Sequence, residues 1–203
     1  MNYLFAACLG YALGCSSMAL YLSKIKGVDM RSGGSRNLGA SNALVLMGWK
    51  SAVLVGLHDI GKAIIAVLLC AWLWPEARFI GAVAGVACVL GHIFPFYLRF
   101  KGGKGFASYL GMTIALNWKF ALVVLVLVVL VTLITDYIVV GTVTTMVIVP
   151  AYMSFAARSL PLLAILCVAS GVILFKHREN YGRILNGTEI GLRRANRGDD
   201  RKL

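Results

Sequence analysis

Three polar stretches carry residue types that can grip an anion, each joining glycines or carboxamides to a cation. The first reads Gly33-Gly34-Ser35-Arg36-Asn37-Leu38-Gly39-Ala40-Ser41-Asn42. Glycine lets the backbone approach a ligand and turn N–H groups toward it. Ser and Asn add neutral hydrogen bonds, and Arg can hold a phosphate through two at once. The same composition also suits a flexible loop whose Ser and Asn cap the next helix. The second stretch holds Gly91-His92-Ile93-Phe94-Pro95, then Phe100-Lys101-Gly102-Gly103-Lys104-Gly105-Phe106-Ala107-Ser108. A Gly-Gly-Lys-Gly turn opening a helix would face an anion with N–H groups, the positive helix end and Lys104. It lacks the GxxxxGK[ST] spacing of a nucleotide phosphate loop. A plain basic turn would need the lysines but not three glycines, which tilts the reading toward phosphate. His92 reads as a bond to a helix-end carbonyl beside Pro95 rather than as a catalytic group. The third stretch runs from Lys176 to Glu189. If a helix continues through it, His177, Asn180 and Arg183 share one face and could meet one ligand. The alternative is an amphipathic helix at the lipid headgroups. Asn186-Gly187-Thr188 matches a glycosylation sequon that a cytoplasmic location would leave unused.

Composition identifies the scaffold. Of 203 residues, 60% are hydrophobic and 14% charged, with mean hydropathy +0.83. A soluble domain is about half apolar and about a quarter charged. An ordinary soluble enzyme, a disordered chain and a secreted disulfide scaffold are excluded. The charge is lopsided, 20 Lys+Arg against 8 Asp+Glu, but so apolar a chain is no nucleic-acid binder. Apolar runs at 3–22, 52–74, 79–98, 106–135, 137–157 and 159–175 each approach or exceed the roughly 20 residues that cross a bilayer. Asn117, Trp118 and Lys119 interrupt the longest run, so it divides into 106–117 and 119–135. The segments 23–51, 99–105 and the tail after 175 hold 16 of the 20 basic residues and should be cytoplasmic. Parity then requires the division. The expected fold is an all-α integral membrane bundle of seven transmembrane helices, N-terminus outside and C-terminus cytoplasmic.

The first run has no basic n-region, so it reads as an anchored span rather than a cleaved signal. Gly10 and Gly14, like Gly81 and Gly85, have the small-xxx-small spacing of close helix contacts. Cys8, Cys15, Cys70, Cys88 and Cys167 all lie inside spans and read as small core residues. His58, Asp59 and Lys62 are ionisable groups within a span, where Asp59 and Lys62 can neutralise each other.

The three polar stretches resemble the three motifs of the bacterial acyl-phosphate:glycerol-3-phosphate acyltransferases. The likeness rests on Gly34-Ser35-x-Asn37-x-Gly39-Ala40-x-Asn42, on Gly91-His92 with Phe100-Lys101-Gly102-Gly103-Lys104-Gly105, and on His177-Arg178-x-Asn180, Arg183 and Gly187-Thr188-Glu189. With Asp59 and Lys62 in register, the resemblance spans 3–190; the expected organisation is one domain over 1–190 with 191–203 as a basic cytoplasmic tail. The resemblance implies transfer of a fatty acyl group from acyl phosphate to glycerol 3-phosphate, giving lysophosphatidic acid and phosphate. It implies essential roles for Ser35, Lys104, His177 and Asn180, and substrate binding at Gly102, Gly103 and Gly105. It implies a structural role for Glu189. Arg36, Asn37, Asn42, Lys101, Ser108, Thr142 and Arg183 are further substrate-binding candidates, and Gly34, Gly39, Asp59 and Lys62 structural ones. Two positions depart from the family pattern. Val45 stands where the first motif carries Arg, leaving Arg36 to supply the charge, and Ala63 stands where Gly follows the intramembrane Lys.

The expected chemistry is direct attack by the glycerol 3-phosphate hydroxyl, without an acyl-enzyme, a cofactor or a metal. His177 is either a base or a hydrogen-bonding partner. The acyl chain would lie between apolar helices that open to the inner leaflet. The bilayer is the expected partner, the chain a monomer, and other lipid-synthesis enzymes further partners. The location would be the bacterial inner membrane, with the site on its cytoplasmic face. The rival readings are a transporter of an anionic solute and a divergent paralogue with another acceptor. A transporter should show midplane ligands, broken helices and a repeated half.

Overall fold

A computed structural model describes residues 1–189 and 191–193, and these form helices, turns and loops with no strand among them. The predicted tail lies outside the described residues from Arg194 onward. The chain divides into two compact units, Met1–Leu116 and Asn117–Leu203.

The first unit departs from the sequence reading at its first span. Instead of one helix over 3–22 there are two, α1 (Asn2–Cys15) and α2 (Met18–Lys26), broken at Ser16 and Ser17. Ser17 takes an extended conformation, and its Oγ accepts the Leu20 N–H at 3.3 Å, starting α2. A carbonyl released by such a break costs several kcal/mol in hydrocarbon unless a neighbour bonds it. Two of the released carbonyls are bonded by side chains from elsewhere in the unit. Tyr97 Oη donates to Cys15 O at 2.6 Å, and Lys62 Nζ donates to Ser16 O at 2.8 Å.

α3 (Ala40–Met47) and α4 (Trp49–Leu73) follow, separated at Gly48. The loop over 27–39 is no flexible connector, because Met30 and Leu38 are buried with Ala19, Ala43 and Val55 in a small core of their own. α5 (Ile80–Ile93) is the hub of the unit and is buried along its length except at Val83 and Leu90. Its contact with α1 is backbone against backbone. A methyl on Gly10 or Gly14 would overlap the carbonyl of Ala84 or Cys88, and one on Gly91 would overlap that of Tyr11. The small-residue spacing at 10 and 14 therefore marks a helix contact, as expected. Gly81 and Gly85 instead admit Val67 of α4 and Met112 of α6 (Phe106–Leu116). A 3-10 turn at Phe96–Leu98 links α5 to the glycine-rich segment.

In the second unit, α7 (Trp118–Thr135) starts where the sequence predicts. Asn117 Oδ1 accepts the Phe120 N–H at 3.0 Å. α8 (Ile138–Ala156) packs on α7, with Phe120 stacked on Tyr152 at 3.9 Å between ring centres. Ser159 caps α9 (Leu160–Lys176), which bends by 44° into α10 (Arg178–Leu185) at His177. Bare apolar side chains such as Leu122, Val126 and Leu130 suit a lipid surface. Cys8 and Cys167 are exposed, so two of the five cysteines are not the core residues that the sequence suggests; Cys15, Cys70 and Cys88 are.

Five stretches of the described residues are long and apolar enough to cross a bilayer, or six if α9 and α10 form one span. The 11 residues of α6 rise about 16 Å, roughly half the thickness of a hydrocarbon core.

The glycine contacts predict opposite outcomes at two positions. Gly14→Leu must push α1 off the Cys88 carbonyl and should cost about 3 kcal/mol or more. Gly61→Ala on α4 meets nothing within 4 Å and should be neutral or stabilising by up to about 1 kcal/mol. Thermal unfolding of both variants in detergent micelles measures the contrast.

Candidate active site

Four backbone and side-chain anchors shape the polar end of the first unit. In the first, Asn42, only 2% exposed, organises the serine loop. Its Oδ1 accepts the Ser35 N–H at 2.9 Å, while Nδ2 donates to Met30 O at 2.8 Å and Asn37 O at 3.1 Å. The carboxamide therefore faces its own loop. Gly34, with φ +56°, lies so close to Asn42 Oδ1 that a side chain there would collide with it. Ser35 and Arg36 are left on the exposed side of this loop, and Asn37 and Gly39 are half-buried.

Arg31 makes the second anchor. Its Nη2 donates to Lys101 O at 2.8 Å and ties the first polar stretch to the second. The third anchor is the glycine turn itself. The N–H of Gly102 donates to Ile93 O at 3.0 Å, and that of Gly103 to His92 O at 3.1 Å. These two N–H groups fold the chain back on the end of α5 instead of facing an anion. The glycines are required because a side chain at 102 would strike the His92 carbonyl, and one at 103 the His92 ring. The turn delivers Lys104 to the start of α6, whose first N–H groups have no acceptor within the helix. In that first turn Ser108 is fully buried, and its hydroxyl has no hydrogen-bond partner in the structure.

The fourth anchor lies beneath. Asp59 and Lys62 do pair, Nζ to Oδ1 at 2.8 Å, but they also hold His92. Lys62 Nζ is 2.9 Å from His92 Nδ1, and Asp59 Oδ1 is 3.3 Å from the same nitrogen. His92 thus joins the charged pair, not a carbonyl beside Pro95 as the sequence suggested. An ammonium can only donate. His92 Nδ1 sits between that ammonium and the Asp59 carboxylate, and the Nε2 edge of the ring lies against Gly103. His58 completes the cluster, with Nε2 2.9 Å from Ser16 Oγ.

The second unit carries the third motif. The bend at His177 replaces the continuous helix predicted for this stretch. His177 is buried, and its Nδ1 sits 2.8 Å from Ile173 O. A carbonyl only accepts, so Nδ1 bears a proton, and any neutral form of the ring carries its lone pair on Nε2. Glu189 clasps α10: Asn180 Nδ2 donates to Oε1 at 2.5 Å and Arg183 Nε to Oε2 at 2.6 Å. Asn180 and Arg183 therefore meet through Glu189. Thr142 is buried, and its hydroxyl donates to Ile138 O at 3.1 Å, so its role as a substrate ligand has no support in these contacts.

The fold and these groups define an integral membrane protein, all-helical in its described residues, with most of its polar chemistry on loops and helix ends. Residues 4–187 match the family described as glycerol-3-phosphate acyltransferase. Among similar curated proteins, glycerol-3-phosphate acyltransferase 1 of Oceanobacillus iheyensis is 34% identical over 201 residues, 95% of this chain and 96% of the relative. The glycerol-3-phosphate acyltransferase of Mesorhizobium japonicum is 39% identical over 186 residues, 91% and 93% of the two chains. The crystal structure of PlsY (YgiH), an integral membrane glycerol 3-phosphate acyltransferase, superposes in its glycerol 3-phosphate form with TM-score 0.87. That match has 31% identity and covers 95% of this chain and 96% of the other. The lysophosphatidic acid form of the same enzyme gives 0.84 at 31% identity, covering 94% and 95%. The chain belongs to the glycerol-3-phosphate acyltransferase family.

Asn42 offers a direct check on the loop geometry. Asn42→Ala leaves the Ser35 N–H and two carbonyls without their partner, at about 1–3 kcal/mol for a buried group. Hydrogen exchange across 31–37 should accelerate. Asn42→Asp should not restore it, because a second oxygen would then face the Met30 and Asn37 carbonyls.

Proposed function

We propose that the protein transfers a fatty acyl group from acyl phosphate to the sn-1 hydroxyl of glycerol 3-phosphate, releasing lysophosphatidic acid and inorganic phosphate. Its relatives carry the name of this activity, and the similar PlsY structures are described in glycerol 3-phosphate and lysophosphatidic acid forms. The observation that carries the reading is the end of α6. There a lysine, first-turn N–H groups without acceptors inside the helix and a buried unpartnered Ser108 hydroxyl follow a turn tied by Arg31 to the loop of Ser35. Such a helix end favours a phosphate.

In this reading Lys104, Ser35 and the first turn of α6 hold the acceptor phosphate, with Arg36, Asn37 and Lys101 around it. The N–H groups of Gly102 and Gly103 shape the turn, and Gly105 passes the chain into the helix. The hydroxyl oxygen of glycerol 3-phosphate attacks the acyl carbonyl carbon. The bond from that carbon to the phosphate oxygen breaks, and phosphate leaves with the electron pair. His177 Nε2 takes the hydroxyl proton, the role its tautomer suits, and the proton passes to the departing phosphate. Asn180, fixed by Glu189, donates to the oxyanion, a contribution commonly of about 3 kcal/mol per donor. Arg183 attends the acyl phosphate headgroup. Positioning of the two substrates supplies about 7–11 kcal/mol more, so no acyl-enzyme is required.

The residues 1–190 act as one domain, with seven crossings, the N-terminus outside and the basic loops cytoplasmic. The short α6 counts as one crossing, because the concentration of basic residues at 99–105 and in the tail needs even parity. The enzyme would work as a monomer at the cytoplasmic face of a bacterial inner membrane.

Purified protein given palmitoyl phosphate and glycerol 3-phosphate should release phosphate only when both are present. Release that ignores the acceptor, or none at all, would overturn the assignment. Lys104→Ala should lower kcat/KM on the order of 100-fold, the loss of a charged hydrogen bond. His177→Ala should lower kcat with little change in KM. Val45 abuts Gly34, so its side chain starts beside the loop that bears Arg36. Arg36→Ala should raise KM for glycerol 3-phosphate, and adding Val45→Arg should recover part of the loss.

A further inference from the structure

The buried cluster beneath the glycine turn has more contacts than charge neutralisation requires. Asp59 and Lys62 lie one turn apart on α4 and would satisfy each other alone. Yet Lys62 also reaches Ser16 O at the break in the first span and His92 Nδ1 at the end of α5. The His92 ring then occupies the volume where a side chain at 103 would begin. Its own carbonyl and that of Ile93 receive the N–H groups of Gly103 and Gly102. One residue therefore meets the turn through both its ring and its backbone, and an ion pair fixes the rotation of that ring.

We infer that Asp59, Lys62 and His92 form a positioning relay that sets the 102–105 turn, and with it Lys104, for the acceptor phosphate. His92 is the positioning residue, and the ion pair acts through it. Its Nδ1 is anchored and its 7% exposure leaves the ring little freedom, so the turn inherits a fixed floor. A merely apolar plug of equal size would fill the space under Gly103 without fixing its angle. This inference rests on the acyltransferase reading and deepens it.

The test is a double-mutant cycle on His92→Phe and Lys62→Met, read as KM for glycerol 3-phosphate and kcat at saturating acyl phosphate. His92→Phe keeps the ring volume and removes both nitrogens. It should raise KM tenfold or more while kcat changes less than threefold. Lys62→Met should do the same, and the double variant should be no worse than the poorer single one, because both break one relay. Lys62→Arg keeps the charge and should stay within threefold of the wild-type KM, which separates anchoring from general destabilisation. Unchanged KM in His92→Phe, or losses that multiply in the double variant, would overturn the relay while leaving the acyltransferase reading intact. A wild-type protein inert with both substrates would overturn both.

Discussion

A pair of full charges enclosed among apolar helices organises the first unit. Asp59 and Lys62 lie on a helix whose remaining buried residues are nearly all small or aliphatic, and an isolated charge there would be expensive. The ammonium avoids that cost with three acceptors drawn from three parts of the chain: a carboxylate on α4, a broken-helix carbonyl, and an imidazole nitrogen on α5. Each acceptor has a structural consequence. The carbonyl permits the break in the first span, and the imidazole supports the turn that carries Lys104. The carboxylate keeps the whole neutral. The polar end of this unit thus depends on an interaction buried beneath it.

Much of the helical plan could be read from hydrophobic run lengths and charge. The division at Asn117 was legible because a carboxamide beside Trp and Lys is both a cap and an interface signal. The break at Ser16 was not, since two serines alter the hydropathy of a twenty-residue run too little to mark it. A carbonyl freed at the break is bonded by a donor from 46 residues further along, a relation invisible to any local window. The five candidate spans show the same division, strong for length and weak for where a helix bends.

The polar residues were legible as types and less so as roles. Asn42, Gly102 and Gly103 stood out because they cluster with serine, arginine or lysine in short polar stretches of so apolar a chain. Composition could not say whether their hydrogen bonds face a ligand or the chain itself. In the structure they face the chain. Residues that fix a site and residues that touch a substrate draw on the same small set of donors and acceptors. Arg31 went unnoticed for a related reason, because its partner is a backbone carbonyl 70 residues away.

The broken first helix also constrains how such a chain enters a membrane. When its opening segment leaves the ribosome, the carbonyls at Cys15 and Ser16 have no partners, because Lys62 and Tyr97 are not yet synthesised. Until both arrive, water, lipid headgroups or the insertion machinery must solvate them, or the segment must pass through an unbroken helical form. The opening segment therefore reaches its final shape only after α5 is in place. The final shape of this segment thus depends on groups from α4 and from the turn after α5.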